Sequence, residues 1–120
     1  MTKFLLVFIG GGLGAMARYF VTTSLAGKFG NFPIGTMAAN IFGSFLMGLV
    51  AGIIAGRSNF ENLRLFAAVG FLGGFTTFSS FSAETLGLIQ GGQIFSAAIN
   101  IFVSVASGLT ACLAGLILTR

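Results

Sequence analysis

The chain has 120 residues, 56% of them hydrophobic and only 7% charged, with six Lys/Arg against two acids and a mean hydropathy of +1.04. A soluble domain carries roughly a quarter charged residues, so this chain lacks the polar surface to stay dissolved. Residues 29–56, 65–83 and 85–119 hold no charge, which excludes a soluble enzyme or a nucleic-acid binder and predicts an integral membrane protein, since a spanning helix needs about 20 mostly apolar residues.

Four spans are predicted in chain order. The first covers residues 4–25 and is interrupted only by Arg18. Lys3, the apolar run and Ala15-Met16-Ala17 imitate a cleavable signal peptide. Glycines at 10–12 and 14 break up that run, so the segment is expected to remain as a helix. Gly10, Gly12 and Ala15 also fit a dinucleotide-binding pattern. That motif needs a second strand and an acid about twenty residues on, whereas the first acid here is Glu61, so it is rejected.

The second span covers residues 33–56 and opens on Pro33, which is preorganised for a first helical turn. The polar stretch RSNFENLR forms a short loop, with Ser58 or Asn59 as candidate caps. The third span covers residues 62–89 and ends at Gly91-Gly92; the fourth covers 93–118. The predicted fold is an all-α integral membrane protein, one four-helix transmembrane domain over residues 1–120. An even number of crossings puts both termini on one side, with Lys3, Arg57, Arg64 and Arg120. The other side carries Lys28, plus Arg18 if it snorkels outward. This bias favours cytoplasmic termini, but it is small enough that insertion in both directions stays open.

The remaining composition narrows the chemistry. The cations form no Lys/Arg run, so neither nucleic acid nor a polybasic lipid patch is indicated. Without His and with two acids, neither a protein-only transition-metal site nor a His-based triad can be assembled, and no enzyme is expected. Cys112, the lone cysteine, reads as a small packing residue. Small residues recur four apart at Ser44, Gly48, Gly52 and Gly56, at Gly35, Ala39 and Gly43, and at Ser107, Ala111 and Gly115. Such stripes let helix backbones approach closely in lipid, where no hydrophobic drive pulls helices together.

Polar groups inside apolar spans are costly and mark pairing or functional positions. Arg18 and Glu84 either pair with each other, cap backbone carbonyls, or serve a permeation path. Asn40 and Asn100, each about 10 Å into its helix by helical rise, either join helices or offer N–H donors to a solute. The segment GFLGGFTTFSSFSAE, residues 70–84, is the most informative. Gly73-Gly74 followed by Thr76-Thr77 is a poor helix interior and predicts a break near mid-membrane. On a continuous helix, Phe71, Phe75, Phe78 and Phe81 form one stripe, with Gly73, Thr77, Ser80 and Glu84 on another face. Lipid contact or core packing accounts for such a stripe in most membrane helices. The dense hydroxyls beside it have no use in lipid. Ring edges carry partial positive charge, so edges, amides and hydroxyls together can hold a small anion without a buried cation.

The motifs GGLGAMARY (11–19), GTMAANIFGSFLMG (35–48) and GFLGGFTTFSSFSAE resemble the Fluc fluoride channel family, also called CrcB. NIFVSVASG (100–108) is similar but less specific. The resemblance implies a passive fluoride-selective channel of the bacterial inner membrane, exporting cytoplasmic fluoride. It also implies an antiparallel, dual-topology homodimer with two pores. By position, Phe78 and Phe81 match the family's pore-lining rings, Asn40 its pore asparagine and Arg18 its vestibule arginine. Thr77, Ser80 and Glu84 match its polar third-helix positions, and Ser104 a fourth-helix serine. The main-chain carbonyls of Gly73 and Thr76 match those that hold a structural Na⁺ at the dimer axis. Ser80 stands where many members have Thr, a change that keeps the hydroxyl.

The rival reading is a proton-coupled small multidrug exporter with Glu84 as its coupling carboxylate. Against it, Glu84 comes late in its helix, and one Tyr with no Trp offers little to bind aromatic cations. A third reading is an accessory subunit without transport of its own.

Overall fold

The computed structural model describes residues 1–120. Its four spans are long and apolar enough to cross a membrane. The first, α1, runs Thr2–Leu25, and α2 runs Ile34–Ile54. Pro33 stands at the N-cap of α2 rather than inside it. Gly56, at φ 69°, turns the chain after α2, a conformation that L side chains resist. A 3₁₀ turn, Ser58–Phe60, then leads into the third span.

That span is not one regular helix. Its first part, α3, opens as Glu61–Leu63, continues as a π-helix over Arg64–Leu72 and closes as Gly73–Phe75. Thr76 and Thr77 are extended, and α4 follows as Phe78–Gln90. After Gly91 and Gly92, α5 runs Ile94–Thr119. Neither Ser58 nor Asn59 caps the third span: the turn and α3 have Arg57 and Phe60 at their N-caps, without a side-chain hydrogen bond. Continuous winding from the turn into α3 leaves little for a cap to satisfy. The nine-residue π winding is a finding that apolar periodicity does not signal.

Two helix pairs carry the packing, and both rest on glycine. Along α1 and α3, a Cβ added at Gly10 would collide with the Phe66 carbonyl, and one at Gly14 with the Phe71 carbonyl. Gly74 lies equally close to the Gly11 carbonyl. Between α2 and α5, Gly48 meets the Cys112 carbonyl, Gly115 the Phe45 carbonyl and Gly52 the Thr119 side chain. The four-spaced stripes therefore divide their work. Gly48 and Gly52 face α5, Gly35 faces Thr22 of α1, and Gly43 faces Phe75 and Thr76 of the third span. Gly56 lies in open space past the helix end.

These contacts separate glycines that sit against a backbone from those that do not. Gly48→Ala should lower the unfolding midpoint in detergent by the equivalent of about 1–3 kcal/mol, the usual cost of overpacking. Gly12→Ala meets nothing within 4 Å and should be neutral or stabilising by about 0.5–1 kcal/mol. Equal midpoints for the two variants would contradict the close packing of α2 on α5.

Candidate functional site

The site is built around the two extended threonines. Gly73-Gly74 followed by Thr76-Thr77 combines weak helix formers with β-branched residues. At Thr76 (φ −87°, ψ 152°) and Thr77 (φ −150°, ψ 118°) the helical ladder stops. Asn40 of α2 faces the gap: its Oδ1 accepts from the Thr77 amide at 2.7 Å and its Nδ2 donates to the Thr77 carbonyl at 3.0 Å. The side-chain amide thus pairs with an extended residue much as a neighbouring strand would. Thr77 Oγ1 caps α4 by accepting from the Ser80 amide at 3.2 Å. Arg18 reaches from α1, its Nε donating to the Gly74 carbonyl at 3.0 Å.

These bonds divert two amides from their regular partners. In a continuous helix the Gly73 carbonyl would take the Thr77 N–H, and the Thr76 carbonyl the Ser80 N–H. Both amides donate to side chains instead. The two carbonyls lose their helical donors, and oxygen acceptors of this kind suit a hard cation. Gly73 lies on the exposed surface of the chain.

A cavity of about 300 Å³ opens beside the gap. It brings together five of the residues singled out in the sequence: Asn40, Thr77, Phe78, Phe81 and Ser104. Thr76, Gly43, Ser44, Met47, Val105 and Cys112 complete the lining. The Phe78 and Phe81 rings stand 5.7 Å apart between centroids, tilted by 42°, and Phe78 is 79% exposed. One Asn40 N–H serves the Thr77 carbonyl; an amide has two, so the other stays available. Ser104 Oγ donates to Asn100 Oδ1 at 3.3 Å, long for a hydroxyl bond, which centres near ~2.8 Å. Asn100 is buried and donates to Thr85 Oγ1 at 2.9 Å, and Thr85 donates to the Phe81 carbonyl at 2.7 Å. Asn100 therefore joins α5 to α4.

Arg18, Ser80, Glu84 and Gly73 do not line this cavity. Ser80 accepts from Thr77 Oγ1 at 3.2 Å. Glu84 Oε1 accepts from Thr36 Oγ1 at 2.7 Å, while its buried Oε2 has no hydrogen-bond partner. Arg18 and Glu84 do not pair; the single ion pair is Lys3–Glu61 at 2.7 Å. Of the alternatives for Arg18, carbonyl capping is the one seen. The continuous aromatic stripe is also corrected. The extended residues reset the helical phase, so Phe71 stacks on buried Phe75 at 6.0 Å while Phe78 and Phe81 form a separate pair.

Sequence reasoning overlooked Thr36 and Thr85. Thr36 lies four residues before Asn40, on the same helical face, which was the available signal. Thr85 had none, because its partner Asn100 comes from another helix.

The Asn40–Thr77 pair can be tested directly. Asn40→Asp keeps the size but cannot donate to the Thr77 carbonyl. The unfolding midpoint in detergent should fall by the equivalent of about 1–3 kcal/mol, the cost of an unpaired buried polar group. An unchanged midpoint would show that the pair does not hold the gap.

Comparison with known proteins agrees with this arrangement of spans. The family model described as CrcB-like protein, Camphor Resistance (CrcB), matches residues 5–116. A protein of Novosphingobium aromaticivorans named fluoride-specific ion channel FluC is 47% identical, covering 100% of this chain and 98% of the relative. Fluoride-specific ion channel FluC 2 of Nitrobacter hamburgensis is 47% identical over 98% of this chain and 97% of its own length. A FluC of Pyrococcus furiosus is 42% identical over 96% and 94%. With four membrane-capable helices and a family match over nearly its whole length, this multi-pass chain belongs to the CrcB family.

Proposed function

We propose that this chain is a passive, fluoride-selective channel that lets cytoplasmic fluoride leave across the bacterial inner membrane. The observation that carries the reading is near-full-length identity to proteins named fluoride-specific ion channels. The cavity beside Thr77 supports it chemically. Fluoride holds water tightly, so a selective path must replace lost hydration with donors. Phe78 and Phe81 ring edges, the free Asn40 N–H and the Ser104 hydroxyl are the candidate donors, and none is a formal cation. Thr77 and Ser80 extend the hydroxyl track, with Arg18 and Glu84 flanking it.

The functional unit in this reading is an antiparallel homodimer with dual topology and two pores. Exposed Phe78 and Gly73 on one chain favour a partner that covers them. The Gly73 and Thr76 carbonyls would hold a structural Na⁺ at the dimer axis, where it would neutralise the carbonyl dipoles. Two oxygens per chain make a sparse shell for a hard cation, and a twofold-related chain doubles them. The relatives named above are channels, and Glu84 sits away from the cavity, so no observation favours a multidrug exporter.

Liposomes containing the pure protein should release fluoride far faster than chloride; equal or absent fluxes would refute the channel reading. Phe78→Ile or Phe81→Ile should cut fluoride flux by at least about tenfold, a barrier change of ~1.4 kcal/mol, with the oligomer intact. Unchanged flux would assign the rings to packing alone. Exchanging Na⁺ for N-methylglucamine should lower the dimer fraction in light scattering, and an unchanged fraction would argue against the axial site.

A further inference from the structure

We propose that the pocket at the turn between α2 and α3 binds the phosphate of an anionic phospholipid headgroup, held by Arg57 and Arg64. The turn joins two membrane-capable spans, so it lies where hydrocarbon gives way to headgroups. A cavity of about 270 Å³ opens there, lined by Ile54, Arg57, Ser58, Phe60, Glu61 and Arg64. The two arginines stand apart in the sequence, outside any basic run, and the turn folds them onto one pocket.

The charge balance of the pocket is positive because its one acid is already matched. Glu61 Oε1 accepts from Lys3 Nζ at 2.7 Å, so a cation from α1 meets that carboxylate. Arg64 has no ion-pair partner. Arg57 spends one donor on the Ile53 carbonyl, at 3.2 Å, and its guanidinium carbon lies 5.7 Å from the centre of the Phe60 ring. These contacts orient the guanidinium while leaving most of its five N–H donors free. Planar guanidinium forks match phosphate oxygens, and Ser58 adds a hydroxyl at the same rim. Fluoride, a single atom, has no use for a fork.

The choice of a lipid over free phosphate rests on the other lining residues. Ile54 and Phe60 give the pocket an apolar side, which suits the start of an acyl chain and not an inorganic anion. Basic groups at a membrane surface attract anionic lipids, and basic pockets between spans hold their headgroups. The site stands independently of the fluoride reading, since it lies on different residues and needs only the spans.

Native mass spectrometry of the full-length protein tests it, with dioleoyl phosphatidylglycerol, dioleoyl phosphatidylcholine and inorganic phosphate as probes. Phosphatidylglycerol should bind more tightly than phosphatidylcholine, weaken as salt rises, and resist displacement by millimolar inorganic phosphate. The R57A/R64A variant should lose at least about tenfold in phosphatidylglycerol affinity, and R57K/R64K, which keeps the charge, should lose less. Should the alanine variant fail to fold, the salt series and the lysine variant still decide. Equal binding of the two lipids, indifference to salt, or full retention by R57A/R64A would overturn the site. Displacement by inorganic phosphate would assign the pocket to a free anion and overturn the lipid.

Discussion

In hydrocarbon, every backbone amide and carbonyl needs a partner inside the protein. The third span departs from helix at Thr76 and Thr77, and the rest of the site follows from how that departure is satisfied. Asn40 takes both polar groups of Thr77, the Thr77 hydroxyl takes the first amide of α4, and Arg18 takes the Gly74 carbonyl. Each bond comes from a different element, so the gap is held from α1, from α2 and from its own side chain. The cavity, the Phe78–Phe81 pair and the unclaimed carbonyls of Gly73 and Thr76 are all products of this one interruption.

The glycine contacts set the frame within which those bonds can form. Gly10, Gly14 and Gly74 bring α1 and α3 to backbone contact, and Gly48 and Gly115 do the same for α2 and α5. Gly43 matters most for the site: a Cβ there would run into the Thr76 side chain, which lies next to the gap. Close packing thus delivers the Asn40 amide to Thr77, where a single bulkier residue would hold it off.

The charge-free runs made the four spans legible, and their ends fall within a few residues of the observed helices except at the start of the third. Gly73-Gly74 and the paired threonines marked where that span is weak, because propensity is local and can be read from neighbours. The partners of Arg18 and Glu84 could not be read in this way. Arg18 finds a carbonyl on α3 and Glu84 a hydroxyl on α2, both choices set by tertiary packing. Helical-wheel reasoning failed for the aromatic stripe because it assumed a constant phase across residues that are not helical. The Arg57–Arg64 pocket escaped for a similar reason: a search for basic runs does not see charges gathered by a turn.

The π-helix at Arg64–Leu72 has a consequence for the family's history. Bonding from i to i+5 takes up more chain per turn than α winding. A lineage can therefore delete a residue between Arg64 and Leu72 and absorb the loss by tightening one turn, leaving Thr76 and Thr77 opposite Asn40. This stretch is a length buffer, and gaps in related chains should gather there rather than beside the paired threonines.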